Sequence, residues 1–177
     1  DCDDNDATTY PGAGFNESGF DAADYSTYEC VTDGDGDGYA YGYSASCYVF
    51  DLTDSWGDGW NGGMKIVVKS DGVQVGQATV GSGLSAEETT VCVPNGANAE
   101  FVFVEGSYAE EIGGSIYADD GTTLGSISGT GGGSFYTQTL EFDGTSYLDG
   151  ETFFTETANG ATVLGGSDAD DTDANSN

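Results

Sequence analysis

At 177 residues the chain has room for one domain with a full hydrophobic core, with or without appended segments. Its 32 acidic residues stand against two basic ones, Lys65 and Lys69, for a formal net charge of -30, which makes nucleic acid and anionic lipid poor partners. Hydrophobic residues at 37% in strand-like alternation argue against an acidic disordered chain, and no apolar run approaches the roughly 18–20 residues of a membrane span.

In chain order, the sequence begins at Asp1 with an acidic cluster and no basic-then-apolar leader. The expectation is a mature secreted protein whose signal peptide has been removed, extracellular or at the cell surface. Residues 1–45 are rich in Gly, Asp and Tyr and poor in aliphatics, so they read as a calcium- and disulfide-stabilised loop segment. The stretch Asn16–Tyr28 admits a short helix. From Ser46 the pattern changes to short apolar alternations. Strands are predicted at Cys47–Thr53, Met64–Lys69, Val73–Val75, Gln77–Val80, Glu88–Val93 and Ala99–Glu105. Further strands are predicted at Ser115–Ala118, Thr122–Ile127, Ser134–Phe142, Thr152–Thr155 and Thr162–Leu164, with Asp71-Gly72 as a hairpin turn. Many short strands with turn signals between them define an all-β fold, a β-sandwich or jelly roll over residues 46–165. Residues 166–177 form an acidic C-terminal tail.

The four cysteines, Cys2, Cys30, Cys47 and Cys92, are an even number in a chain that reads as secreted, so two disulfides are expected. Of three connectivities, Cys2–Cys30 with Cys47–Cys92 keeps each bridge inside one segment. The chain has no histidine and no Cys-x-x-Cys pair, which argues against zinc.

Acidic residues cluster at metal-ligand spacing, unlike a salt-adapted surface with acids spread over it. Asp33-Gly-Asp35-Gly-Asp37-Gly-Tyr39 places carboxylates at alternate positions, the pattern of the first half of an EF-hand-type loop, in which the Tyr39 carbonyl joins the shell. Ser44 occupies the place of the final acidic ligand, so another segment must complete the shell around a calcium ion (Ca2+). Asp1, Asp3, Asp4, Asn5 and Asp6 are the nearest donors if Cys2 pairs with Cys30. The frame Asp-x-Asp-Asp-x-Asp-Ala of residues 1–7 returns at Asp168–Ala174, where Asp168, Asp170 and Asp173 form a second candidate cation block. A coincidence of acidic tails is the competing reading.

Residues Asp1–Ala13 resemble the short Asp-rich metal-binding repeats of bacterial secreted proteins, which are similar to thrombospondin type 3 calcium repeats. In those repeats the Asp-x-Asp-Gly-Asp-Gly-Tyr block comes first; here it follows, so the blocks can also meet complements on a neighbouring chain. Residues 46–140, through Asp54-Ser-Trp-Gly-Asp-Gly-Trp-Asn-Gly62 and Gly106-Ser-Tyr-Ala-Glu-Glu-Ile112, resemble a module of secreted proteins. The resemblance implies an extracellular β-sandwich without established catalysis.

On the loop of that signature, Asp54, Asp58 and Asn61 are candidate cation ligands, with Glu110 or Glu111, Glu111 foremost, completing the shell. Alternatively Asp54 and Asp58 cap turns by accepting from backbone amides. Trp56 and Trp60 either fold back on the sandwich or stack on a sugar. Without histidine, histidine-based triads are excluded, and serine-hydrolase and phosphate-loop signatures are missing. The sequence therefore predicts a non-enzymatic extracellular calcium-binding structural protein. It would assemble with other copies of itself, through its termini and calcium, into a surface filament, tubule or layer. The alternative is a calcium-dependent carbohydrate-binding or adhesin module on surface polysaccharide.

Overall fold

A computed structural model describes residues 9–11, 30–32, 36, 43–160 and 162–164. The chain divides into two units, one spanning Ala45–Thr162 and the other Asp1–Ser44 with Val163–Asn177. In the second unit, β1 (Thr9–Pro11) and β2 (Cys30–Thr32) pair antiparallel, with Pro11 opposite Cys30. The helix admitted at Asn16–Tyr28 and the pairing of Cys2 with Cys30 lie outside the described residues.

The first unit is a β-sandwich. Its strands are β3 (Tyr43–Asp54), β4 (Lys65–Ser70), β5 (Val73–Ala78), β6 (Ala86–Pro94) and β7 (Asn98–Val104). They continue with β8 (Ile112–Ala118), β9 (Thr123–Thr130), β10 (Thr139–Phe142), β11 (Thr145–Tyr147) and β12 (Thr152–Thr157), after which β13 (Thr162–Leu164) runs out of the unit. One sheet runs β11-β10-β9-β8-β3-β6 and the other β12-β7-β4-β5, every pairing antiparallel. Among the described residues the helical content is one 3-10 turn, Ala109–Glu111, and no helix is long and apolar enough to cross a membrane.

Period-two alternation makes the core. Along β3, Tyr48, Phe50 and Leu52 are buried while Asp51 and Thr53 face water. Phe101, at the centre of β7, meets them from the other sheet, its ring 4.9 Å from Tyr48 and 5.0 Å from Phe50, edge to face. It also stacks on Phe154 of β12 at 4.7 Å. Such pairs contribute about 0.5–1.5 kcal/mol each beyond burial. Where β5 crosses β6 the sheets nearly touch: a Cβ on Gly76 would lie 2.6 Å from a methyl of Val91, so only glycine fits there.

Cys47 and Cys92 face each other in the β3–β6 register and form the expected disulfide. The Asp71-Gly72 hairpin turn is also present, with φ of 49° and 82°, the two left-handed residues of a tight hairpin between β4 and β5. Three predicted elements differ. Val73–Val75 and Gln77–Val80 merge into one strand that ends at Ala78, since Gly76 continues the ladder opposite Val68. The predicted Ser134–Phe142 strand begins only at Thr139, because the buried Gln138 side chain donates to the Gly133 and Tyr136 carbonyls and closes a turn. Strand β11 was not foreseen, although Asp143-Gly144, at φ of 47° and 80°, repeats the same hairpin signal.

Candidate metal centre

Register builds the centre. Asp54 is the last residue of β3 and pairs with Ile112, the first of β8, so Glu111 lands beside it. The Ser55 amide donates to the Glu111 carbonyl at 2.9 Å and fixes that juxtaposition. The loop that follows turns back at once: one oxygen of Asp54, Oδ1, accepts the amides of Trp56 (3.1 Å), Gly57 (2.5 Å) and Asp58 (3.2 Å). The curl brings the Asp58 carboxylate round to the same point. Gly59 is required next, because its φ is 88° and a Cβ would collide with the Gly81 carbonyl.

One carboxylate oxygen from each of Asp54, Asp58 and Glu111 lies within 4.8 Å of the other two. Asp54 is 4% exposed, and its Oδ2 is buried without a hydrogen-bond partner. Leaving a buried carboxylate oxygen unpaired costs on the order of several kcal/mol, so something must compensate it. Burial first, and then the charges of Asp58, Asp54 and Glu110, hold the Glu111 carboxyl above the usual carboxylate range. A cation at the convergence relieves both penalties. Three carboxylates with no nitrogen or sulfur donor suit a hard divalent ion, with water completing the shell.

Asn61 is held at the rim, its side-chain amide donating to Asp58 Oδ1 at 3.1 Å and its carbonyl accepting from Ser107 at 3.0 Å. The amide thus orients Asp58. The two tryptophans part company. Trp60 is 7% exposed, and its indole N–H donates to the Thr53 carbonyl at 3.0 Å, so of its two readings it folds back on the sandwich and is not free to stack on a ligand. Trp56 is 79% exposed. With Asp58, Asn61, Tyr108, Glu110 and Glu111 it lines a cleft of about 450 Å³.

The turn-capping reading of Asp54 is met by Oδ1, which accepts the three loop amides, while Oδ2 makes no hydrogen bond. Tyr108 was missed as a site residue, although it stands in the same Gly106–Ile112 stretch that supplied Glu111. The remaining sequence candidates, Asp1, Asp3, Asp4, Asn5, Asp6, Asp33, Asp35, Asp37, Tyr39, Asp168, Asp170 and Asp173, lie outside the described residues. Within the Asp33–Tyr39 stretch Gly36 alone is described, at φ of 79°, a left-handed conformation that glycine adopts without strain.

Fold and site together define an acidic antiparallel β-sandwich with a carboxylate cluster at one end of its longest strand. No protein family, curated protein or solved structure compared with the chain matches it.

Proposed function

We propose that this is a non-enzymatic, extracellular, calcium-binding structural protein, and that Asp54, Asp58 and Glu111 hold one of its ions. The observation that carries the reading is the buried, unpartnered Oδ2 of Asp54, on a carboxylate that clusters with those of Asp58 and Glu111. Calcium is the ion of choice because it accepts carboxylate-rich, partly hydrated oxygen shells of flexible geometry, where magnesium demands a tight octahedron. The Cys47–Cys92 bridge supports an oxidising, extracellular setting. The lack of histidine supports a role without catalysis.

Self-assembly is part of the proposal. It is supported by the repeated Asp-x-Asp-Asp-x-Asp-Ala frame of residues 1–7 and 168–174. It is also supported by β5, which forms one edge of its sheet, carries no charge and leaves Val73 and Val75 exposed.

The ion is tested by calorimetric titration of the full chain with calcium, beside Asp54→Asn and Glu111→Gln. Asparagine keeps an oxygen for the three loop amides and loses the free carboxylate oxygen. Each variant is expected to lose one binding event while staying folded. In the wild type, calcium at about 100 times its Kd should add ~2.7 kcal/mol of stability. Identical stoichiometry in wild type and both variants would refute the assignment.

A further inference from the structure

We propose that the cleft beside this ion binds a neutral saccharide, which stacks on Trp56 and offers hydroxyls to the ion and the lining carboxylates; the inference rests on the calcium reading above. Two aromatic residues, Trp56 and Tyr108, frame the cleft. Trp56 leaves its indole in water, whereas Trp60, four residues on in the same loop, is packed into the core. Tyr108 is held at φ of 62°, a left-handed conformation that costs a non-glycine residue on the order of 1–2 kcal/mol, and its ring lines the same cleft. Both side chains line the cleft together with Asp58, Glu110 and Glu111.

The ligand chemistry follows from that pairing. A pyranose has an apolar C–H face that covers an indole and a rim of hydroxyls that both donate and accept. Hydroxyl donors suit carboxylate acceptors through charge-assisted bonds, and hydroxyl lone pairs suit a calcium ion whose shell is incomplete. The three carboxylates repel phosphate headgroups and acidic sugars, which leaves neutral ones. An organic ammonium ion also suits acids beside aromatics, but it competes with calcium, whereas a saccharide needs it. The cleft volume lies within the roughly 300–1,000 Å³ typical of small-ligand sites.

The test is native affinity electrophoresis of the full chain through gels containing mannan, dextran or galactan, in excess calcium or excess chelator. Calorimetry with calcium alone runs in parallel. Retention by at least one of the three polymers is expected in calcium and not in chelator. Trp56→Ala should weaken it about tenfold or more while keeping the calcium heat. Tyr108→Gly should relieve the backbone, hold or raise the melting temperature, and still weaken retention, a combination that simple misfolding cannot give. Calcium heat without retention by any polymer overturns the cleft proposal and spares the ion. Loss of both heat and retention overturns both. Retention that grows in chelator, or is unchanged in Trp56→Ala, also overturns the saccharide assignment.

Discussion

Tyr48 sits in the middle of β3 with its ring fully buried, and its hydroxyl donates to Glu156 Oε1 of β12 at 2.7 Å, joining the two sheets. Burial first, then the bond to the Glu156 carboxylate, push its ionisation well above the usual tyrosine value near 10. The folded state therefore favours the neutral phenol. That contribution is complete below the unfolded-state value and is lost as pH climbs past about 10, where the unfolded chain releases a proton that the folded one keeps. Tyr48→Phe should lower stability by about 1.5–3 kcal/mol at neutral pH, the worth of a hydrogen bond to a charged group. Its deficit relative to wild type should shrink above about pH 10. Urea melts at neutral and alkaline pH measure this; a deficit that does not change with pH would show that Tyr48 ionises as it does in the unfolded chain.

Elements follow their side-chain period where one face is buried. Tyr48, Phe50 and Leu52 announce β3, and Asp71-Gly72 announces a hairpin, because apolar alternation and left-handed turns are local properties. The Ser134–Phe142 prediction failed for the opposite reason. Phe135 and Tyr136 look like strand residues, yet Gln138 ends up bonded to the Ala109 amide from a distant turn as well as to its own loop. No local pattern reports such a partner. The site divides in the same way: Asp54, Asp58 and Asn61 are legible on one loop, while the place of Glu111 depends on the β3–β8 register, and Tyr108 gave no signal of its own. Strand β5 is where element and proposed assembly meet. Its outward residues Val73 and Val75 lie on an uncharged edge, and edges of this kind recruit another strand unless a charge blocks them. If copies join there, Val75→Lys should abolish calcium-dependent polymers seen by sedimentation and electron microscopy. Monomer stability should change by less than about 0.5 kcal/mol, as for ordinary surface substitutions. Undiminished polymers from a folded Val75→Lys protein would rule this edge out.

For the molecule as a whole, the question is whether cations act at a site or only as an atmosphere. A net charge of -30 on 177 residues makes the compact state repel itself, and any salt weakens that repulsion over a Debye length of about 10 Å at 0.1 M. Screening rises smoothly with ionic strength and does not saturate at low concentration. A site saturates: once occupied, it adds stability only with the logarithm of free ion. The Asp54–Asp58–Glu111 cluster is therefore separable from the general field by comparing melting temperatures in sodium chloride and calcium chloride at matched ionic strength. Calcium should raise the melting temperature at concentrations too low to screen, and both series should then climb together. Asp54→Asn should remove part of the early calcium rise and leave the later climb intact, because one carboxylate in 32 acidic residues barely alters the net charge but removes a ligand. Coincident curves for the two salts would mean that the acids of this chain only repel, and that Asp54 Oδ2 is served by something other than a metal ion.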